Sequence, residues 1–323
     1  MRRMTPVVVA VIVLVAPAVY AAEPQFRFQN NFWVNLHHVL RGDARRGPLK
    51  LPLAVNPEAL SDQERAAWAA ALETYAPLAN RNLLFDADLE KINSALALAA
   101  DNETLAAPSL DPQIAAALTR AAPVYRAHGW TRQKKINDDW IAAIRPYMDR
   151  HASQMAAALA KAYHVEWPDR PIIVDAAAEA GVDGGYTING PPGTAAHTVI
   201  EAGNSGYQGD MAFEMVFHEA SHATAIGGRI IAMIDAAAKT QQVTPHRDLW
   251  HTLIFYTAGE LARRELGKAG DASYEPFAYR YGVYNRRWQN LRDALEKDWQ
   301  PYLDGRTEFD AALAALVRDA AFP

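Results

Sequence analysis

The 323-residue chain reads as an α+β protein, mostly α-helical, with one small antiparallel or mixed sheet set between two helical regions. Three observations predict this. Apolar residues recur at three- and four-residue spacing over most of the length. Between Pro171 and Glu201 that period gives way to three short β-branched runs bounded by Gly, Pro and Asn. Half of the residues are hydrophobic and 21% are charged, the balance of a globular chain and not of a disordered or repetitive one.

The elements follow in order. Arg2 and Arg3 precede the apolar run Val7 to Ala16, then Pro17 and Val19-Tyr20-Ala21, the pattern of a secretory signal. Cleavage is expected after Ala21 or Ala22, because the apolar stretch falls short of the roughly 20 residues a membrane span needs. Residues 1–21 are therefore set apart, and the remainder is expected to be exported, periplasmic or secreted from a bacterium, with no stable membrane anchor. Residues 22–165 form an N-terminal helical region, with helices expected over Asn31–Leu40, Ser61–Leu78, Asp86–Ala99, Pro112–Ala121 and Ile136–Tyr163. Ser61 and Glu64 have the spacing of a capping box. No linker rich in Pro, Gly or Ser separates this region from the sheet, so it is expected to be a packed scaffold. Strands are expected at Pro171–Asp175, Gly184–Ile188 and Ala196–Glu201, the last two joined by a hairpin loop through Asn189-Gly190-Pro191-Pro192-Gly193. Helices then resume over Asp210–Ile226, Arg229–Lys239, Arg247–Lys268, Arg286–Trp299 and Glu308–Ala320, with Gly227-Gly228 expected to stop the first as a C-cap.

Composition excludes several functions. With no cysteine there is no disulfide framework, zinc finger, iron–sulfur cluster or thiol nucleophile, and any metal must be held by His and carboxylates. A net charge of −5 supplies no basic footprint for nucleic acid.

The chemistry lies in His218-Glu219-Ala220-Ser221-His222, an H-E-x-x-H run within the apolar-periodic segment Met211–Ile226. Residues four apart share one face of a helix, so His218 and His222 can reach the same ion. Glu219 is rotated off that line, where it can take the proton of an attacking water and pass it to a leaving nitrogen. A catalytic zinc usually takes three protein ligands and keeps a fourth position open. The metzincin arrangement fails, since the positions that would carry its Gly and third His are Ala225 and Gly228. Asp235, His246, Asp248, His251 and Glu260 remain. Glu260 is favoured because it lies inside a long helix that can return antiparallel to the first.

These residues resemble the gluzincins, the thermolysin-like zinc metallopeptidases, which carry H-E-x-x-H on one helix and a Glu ligand on a later one. The resemblance covers about Ile172 to Leu266, and it implies a zincin-like catalytic region over 166–323: sheet and H-E-x-x-H helix at 166–228, packed against a C-terminal helical part at 229–323. It implies one catalytic Zn2+ held by His218, His222 and Glu260, Glu219 as general base, and Thr198–Ala202 as the edge strand that aligns peptide substrate. One departure is Arg264, which stands where that family has an Asp orienting a zinc histidine. Glu214 and Asp210 are alternative orienting groups. Tyr256, one turn before Glu260, is the first choice for a donor to the developing oxyanion, with His251, Tyr281 and Tyr284 behind it. The paired His37-His38 is expected at a surface or core edge.

The expected function is an exported zinc metallopeptidase acting on a peptide or protein. Two alternatives stand beside it: a non-catalytic binding or assembly protein with a structural metal site, and a zinc hydrolase acting on another amide or an ester.

Overall fold

The computed structural model describes residues 25–46, 55–82, 86–99, 103–181, 184–189, 195–271 and 273–321. The expected signal segment and the tip of the 189–193 loop lie outside them. Among the described residues no helix is long and apolar enough to cross a membrane.

The protein is α+β and mostly helical, built on a four-stranded mixed sheet. Strand β1 (Phe26–Gln29) is followed by helices α1 (Phe32–Arg46), α2 (Asp62–Tyr75), α3 (Ala87–Ala97), α4 (Pro112–Tyr125) and α5 (Thr131–Tyr163). Then come β2 (Ile172–Ala177), β3 (Gly185–Ile188), β4 (His197–Glu201) and α6 (Gly209–Ala220). The chain ends in α7 (Arg229–Gln241), α8 (Leu249–Lys268), α9 (Phe277–Arg280), α10 (Val283–Arg287), α11 (Gln289–Ala294), α12 (Gln300–Leu303) and α13 (Phe309–Asp319). The capping box of α2 forms: Ser61 Oγ accepts from Glu64 N, and a Glu64 carboxylate oxygen accepts from Ser61 N at 2.9 Å.

Strand order is β1-β2-β4-β3, with β1, β2 and β4 parallel and β3 antiparallel to β4. Two expectations change here. Phe26–Gln29 is an edge strand paired with β2, not the start of a helical region. The strand at the opposite edge is β3, while β4, which contains most of the Thr198–Ala202 stretch expected at the edge, is enclosed between β2 and β3. Burial agrees with that position, since the first four residues of β4 are buried on both faces.

The sheet divides two hydrophobic cores because successive side chains point to opposite faces. Val174, Ala176 and Ile200 join α5, α6 and α8 on one side. Tyr186, Ile188 and Val199 join α1–α4 on the other. The N-terminal helices thus back the sheet as a scaffold, while α5 packs directly on α6 and α8. His37 and His38 are fully within the scaffold core and not at its edge: His37 Nδ1 bonds Tyr75 OH at 3.0 Å, and His38 Nε2 bonds Tyr186 OH at 2.7 Å.

Helix ends also differ from the periodic reading. The helix expected to reach Ile226 stops at Ala220, and Gly227-Gly228 belong to a wide turn at 224–228 that runs straight into α7. Gly227 is needed there for close approach: a Cβ would lie 2.9 Å from the Ser221 carbonyl oxygen. The expected Arg286–Trp299 helix is broken at Trp288. The break turns the indole toward the start of α8, where Nε1 donates to Asp248 Oδ2 at 3.0 Å.

Candidate metal centre

Every residue of α6 from Met211 to Ala220 is buried, because the helix is covered by the sheet on one side and by α5 and α8 on the others. His218 and Glu219 occupy its last turn. His222 follows the C-cap on a tighter turn, in which His222 N donates to Glu219 O at 3.0 Å and Ser221 Oγ donates to Phe217 O at 2.8 Å. The turn keeps the two imidazoles together, edge-on at 5.0 Å between centroids, with their Nε2 atoms 3.3 Å apart. Helix α8 begins beside them and places His251 in its first turn. One ring nitrogen from each of His218, His222 and His251 falls within 4.8 Å of the others.

This donor set fits zinc. At Zn–N distances of about 2.0–2.1 Å, two corners of a tetrahedron lie roughly 3.3 Å apart, which matches the separation of the two Nε2 atoms. Burial holds all three rings in the neutral form a ligand requires. His218 is pushed well below the usual histidine range, and its imidazole neighbours push the same way. Burial lowers His222 to about 3, with His251 adding to the effect. His251 falls to about 4, again through burial, with Asp248 opposing and Arg287 reinforcing. Aromatic rings wall the site: Phe255 lies over His218 at 3.6 Å between centroids, Trp250 meets His222 edge-on at 5.3 Å, and Trp288 meets His251 at 5.2 Å.

Glu260 is not brought to the imidazoles. It lies nine residues after His251 on the same helix, which at about 100° per residue is half a revolution round the axis, and roughly 13 Å further along it. There it forms an ion pair with Arg263 at 2.6 Å. Of the candidates for third ligand it is His251, also considered behind Tyr256 as an oxyanion donor, that lies with His218 and His222 in a group able to hold a metal ion. Tyr256 goes with Glu260, since the two share a helix face; its hydroxyl donates to Gln300 Oε1 at 2.7 Å. Tyr284 is buried, and Tyr281 is 41% exposed against Phe277. His246 Nδ1 accepts from Asp248 N at 3.1 Å.

The orienting groups considered for the histidines are engaged elsewhere. Glu214 is fully buried and accepts from Tyr274 OH at 2.5 Å and Phe277 N at 3.0 Å, tying α6 to α9. Asp210 accepts from Met211 N. Nδ1 of His218 is buried without a hydrogen-bond partner among the described residues.

Glu219 faces the sheet. Gly185 of β3 lies so close that a Cβ there would stand 3.0 Å from Glu219 Oε1, and Thr187 Oγ1 donates to the Glu219 carbonyl oxygen at 2.5 Å. Glu201 N donates to Gly184 O, so by antiparallel alternation Gly185 and Thr187 turn their own N–H and C=O groups away from β4. The carboxylate of the H-E-x-x-H run therefore lies against an edge strand whose outward backbone groups have no strand partner among the described residues, although Gly185, Tyr186 and Ile188 are buried. Sequence reasoning missed this strand's role, although the Gly184-Gly185 pair marked a place of close backbone approach.

Comparison with protein-family models, with curated proteins and with solved structures finds no match to this chain.

Proposed function

We propose that the protein is a zinc-dependent hydrolase of the H-E-x-x-H type, acting on peptide bonds, with His218, His222 and His251 as metal ligands and Glu219 as general base. The observation that carries this reading is the convergence of three neutral imidazoles at the end of the helix that bears Glu219, whose carboxylate lies against the edge strand β3. Bound zinc would supply Lewis-acid polarisation of water and of the scissile carbonyl. The chain's own groups do the rest. Glu219 takes the proton from the attacking water and delivers it to the leaving nitrogen. Gly185 and Thr187 offer backbone donors and acceptors that hold an extended substrate as an added strand. Phe255, Trp250 and Trp288 exclude bulk water, which strengthens the electrostatic interactions inside. The gluzincin resemblance rested on a helix-borne glutamate ligand, which this ligand set does not use; the proposal is therefore the broader class. Export is part of the same proposal and rests on the leader pattern in the sequence.

The test is metal analysis joined to turnover of quenched peptides. One zinc per chain and peptide cleavage abolished by Glu219→Gln are expected; absence of bound metal after zinc loading defeats the reading. A structural metal site is the second reading, favoured by the burial of His218 Nδ1 without a hydrogen-bond partner among the described residues. A zinc-loaded protein that cleaves no peptide, amide or ester would establish it.

A further inference from the structure

One wall of the metal centre is shared with a second feature. Trp288, whose ring meets His251, also lines a surface cleft of about 520 Å³ between α10, α11 and the C-terminal end of α13. Arg286, Arg287, Asn290 and Asp319 line it with Trp288. The charges do not cancel within the cleft. Asp319 is satisfied by Lys297 and by Arg318, the latter at 2.9 Å. Arg286 is fixed by donating to the Tyr281 carbonyl oxygen at 2.9 Å, and it makes no ion pair among the described residues. Arg287 is exposed, lies 5.6 Å from the Trp288 ring, and makes no ion pair among the described residues. Its charge reaches His251, whose protonation it disfavours. In a chain of net charge −5, an arginine pair beside the candidate centre with no ion-pair partner among the described residues is a local reversal of sign.

We propose that this cleft is a carboxylate-recognition subsite for the substrate, with Arg287 as its cationic contact and Trp288 as the surface that carries the recognised group toward His251. The proposal rests on the functional reading above and narrows it to substrates bearing a carboxylate close to the scissile bond. Guanidinium suits that task because its planar fork can meet both carboxylate oxygens. The carboxylate is either an acidic side chain or a free C-terminus, and the two are separable by experiment.

Three probes distinguish them: Ac-Ala-Glu-Ala-NH2 carries only the acidic side chain, Ac-Ala-Ala-Ala-OH only the terminal carboxylate, and Ac-Ala-Gln-Ala-NH2 neither. Each is titrated into the full chain carrying Glu219→Gln, both zinc-loaded and zinc-free, while the Trp288 indole N–H resonance is followed; that resonance is identified by its loss in Trp288→Phe. At least one carboxylate peptide is expected to shift it with at least tenfold higher affinity than the neutral peptide, weakening as salt rises. Arg287→Ala should remove that preference and Arg287→Lys should restore part of it. Equal affinity for all three peptides, no shift with any of them, or a preference unchanged in Arg287→Ala would overturn the proposal. The zinc-free titration keeps the two readings apart, because carboxylate binding there survives a failure of the metal assignment, and zinc stoichiometry is measured on the same samples.

Discussion

Removing His251 gives the sharpest test of the centre. The chain offers two residues of one helix as third ligand, about two and a half turns apart and on opposite faces, and only His251 lies within reach of His218 and His222. Apparent binding energies of structural zinc sites run to about 10–16 kcal/mol for four ligands, so one ligand is worth roughly 3–4 kcal/mol. At 1.4 kcal/mol per decade, His251→Ala should weaken zinc binding by about two to three orders of magnitude. Glu260→Gln, which disturbs only the pair with Arg263, should leave affinity within about threefold. Competition with a chromophoric chelator measures both, and thermal unfolding of the metal-free variants separates folding from ligation. Zinc affinity unchanged in His251→Ala but lost in Glu260→Gln would refute the three-histidine assignment.

Further outcomes follow from the same geometry. Glu219→Gln should retain stoichiometric zinc, read by elemental analysis, while peptide turnover falls by about 10²–10⁴-fold, the usual worth of a general base. Gly185→Val should do something similar more mildly, because a side chain 3.0 Å from Glu219 Oε1 must displace the carboxylate; turnover should drop with zinc content intact. Burial raises the Glu214 carboxyl from 4.5 to about 7, so its contribution to stability is complete below the unfolded value and is lost as pH rises through 7. That loss amounts to about 3 kcal/mol, and denaturant midpoints measured from pH 4.5 to 8 should decline less in Glu214→Gln than in the parent. The histidines act in the opposite sense. With folded values near 3 and 4 for His222 and His251, metal-free protein should lose stability as pH falls below 6.5 and zinc should stay bound well into that range.

How much of this was legible in the chain depends on the kind of information each feature needs. His218, Glu219 and His222 form a local pattern, and a four-residue spacing is meaningful without knowing the rest of the fold. The third ligand is not local. Periodicity says which residues of Leu249–Lys268 share a face, yet nothing in it says which face meets α6, and His251 and Glu260 lie on opposite ones. Strand order fails for the same reason. The sequence of β3 and β4 predicts that the two strands pair antiparallel, as they do, but only the pairing of β4 with β2 reveals that β3 is at the edge. Strand β1 was missed because four residues, Phe26–Gln29, carry too little alternation to register, and their partner in β2 lies far along the chain. The capping box, by contrast, is complete within four residues and was correctly read.

The position of His251 has a consequence for when the protein can act. On the proposed reading, two ligands belong to the turn that ends α6 and the third to the first turn of α8, so neither segment alone holds all the ligands. An unfolded or half-docked chain presents only the His218–His222 pair, whose affinity lacks the contribution of the third imidazole. Zinc capture then coincides with the docking of α8 on α6 and reports that the core between them has closed. If the proposed function holds, a chain that is still folding would carry no hydrolytic power to turn on its neighbours until the core between α6 and α8 is complete.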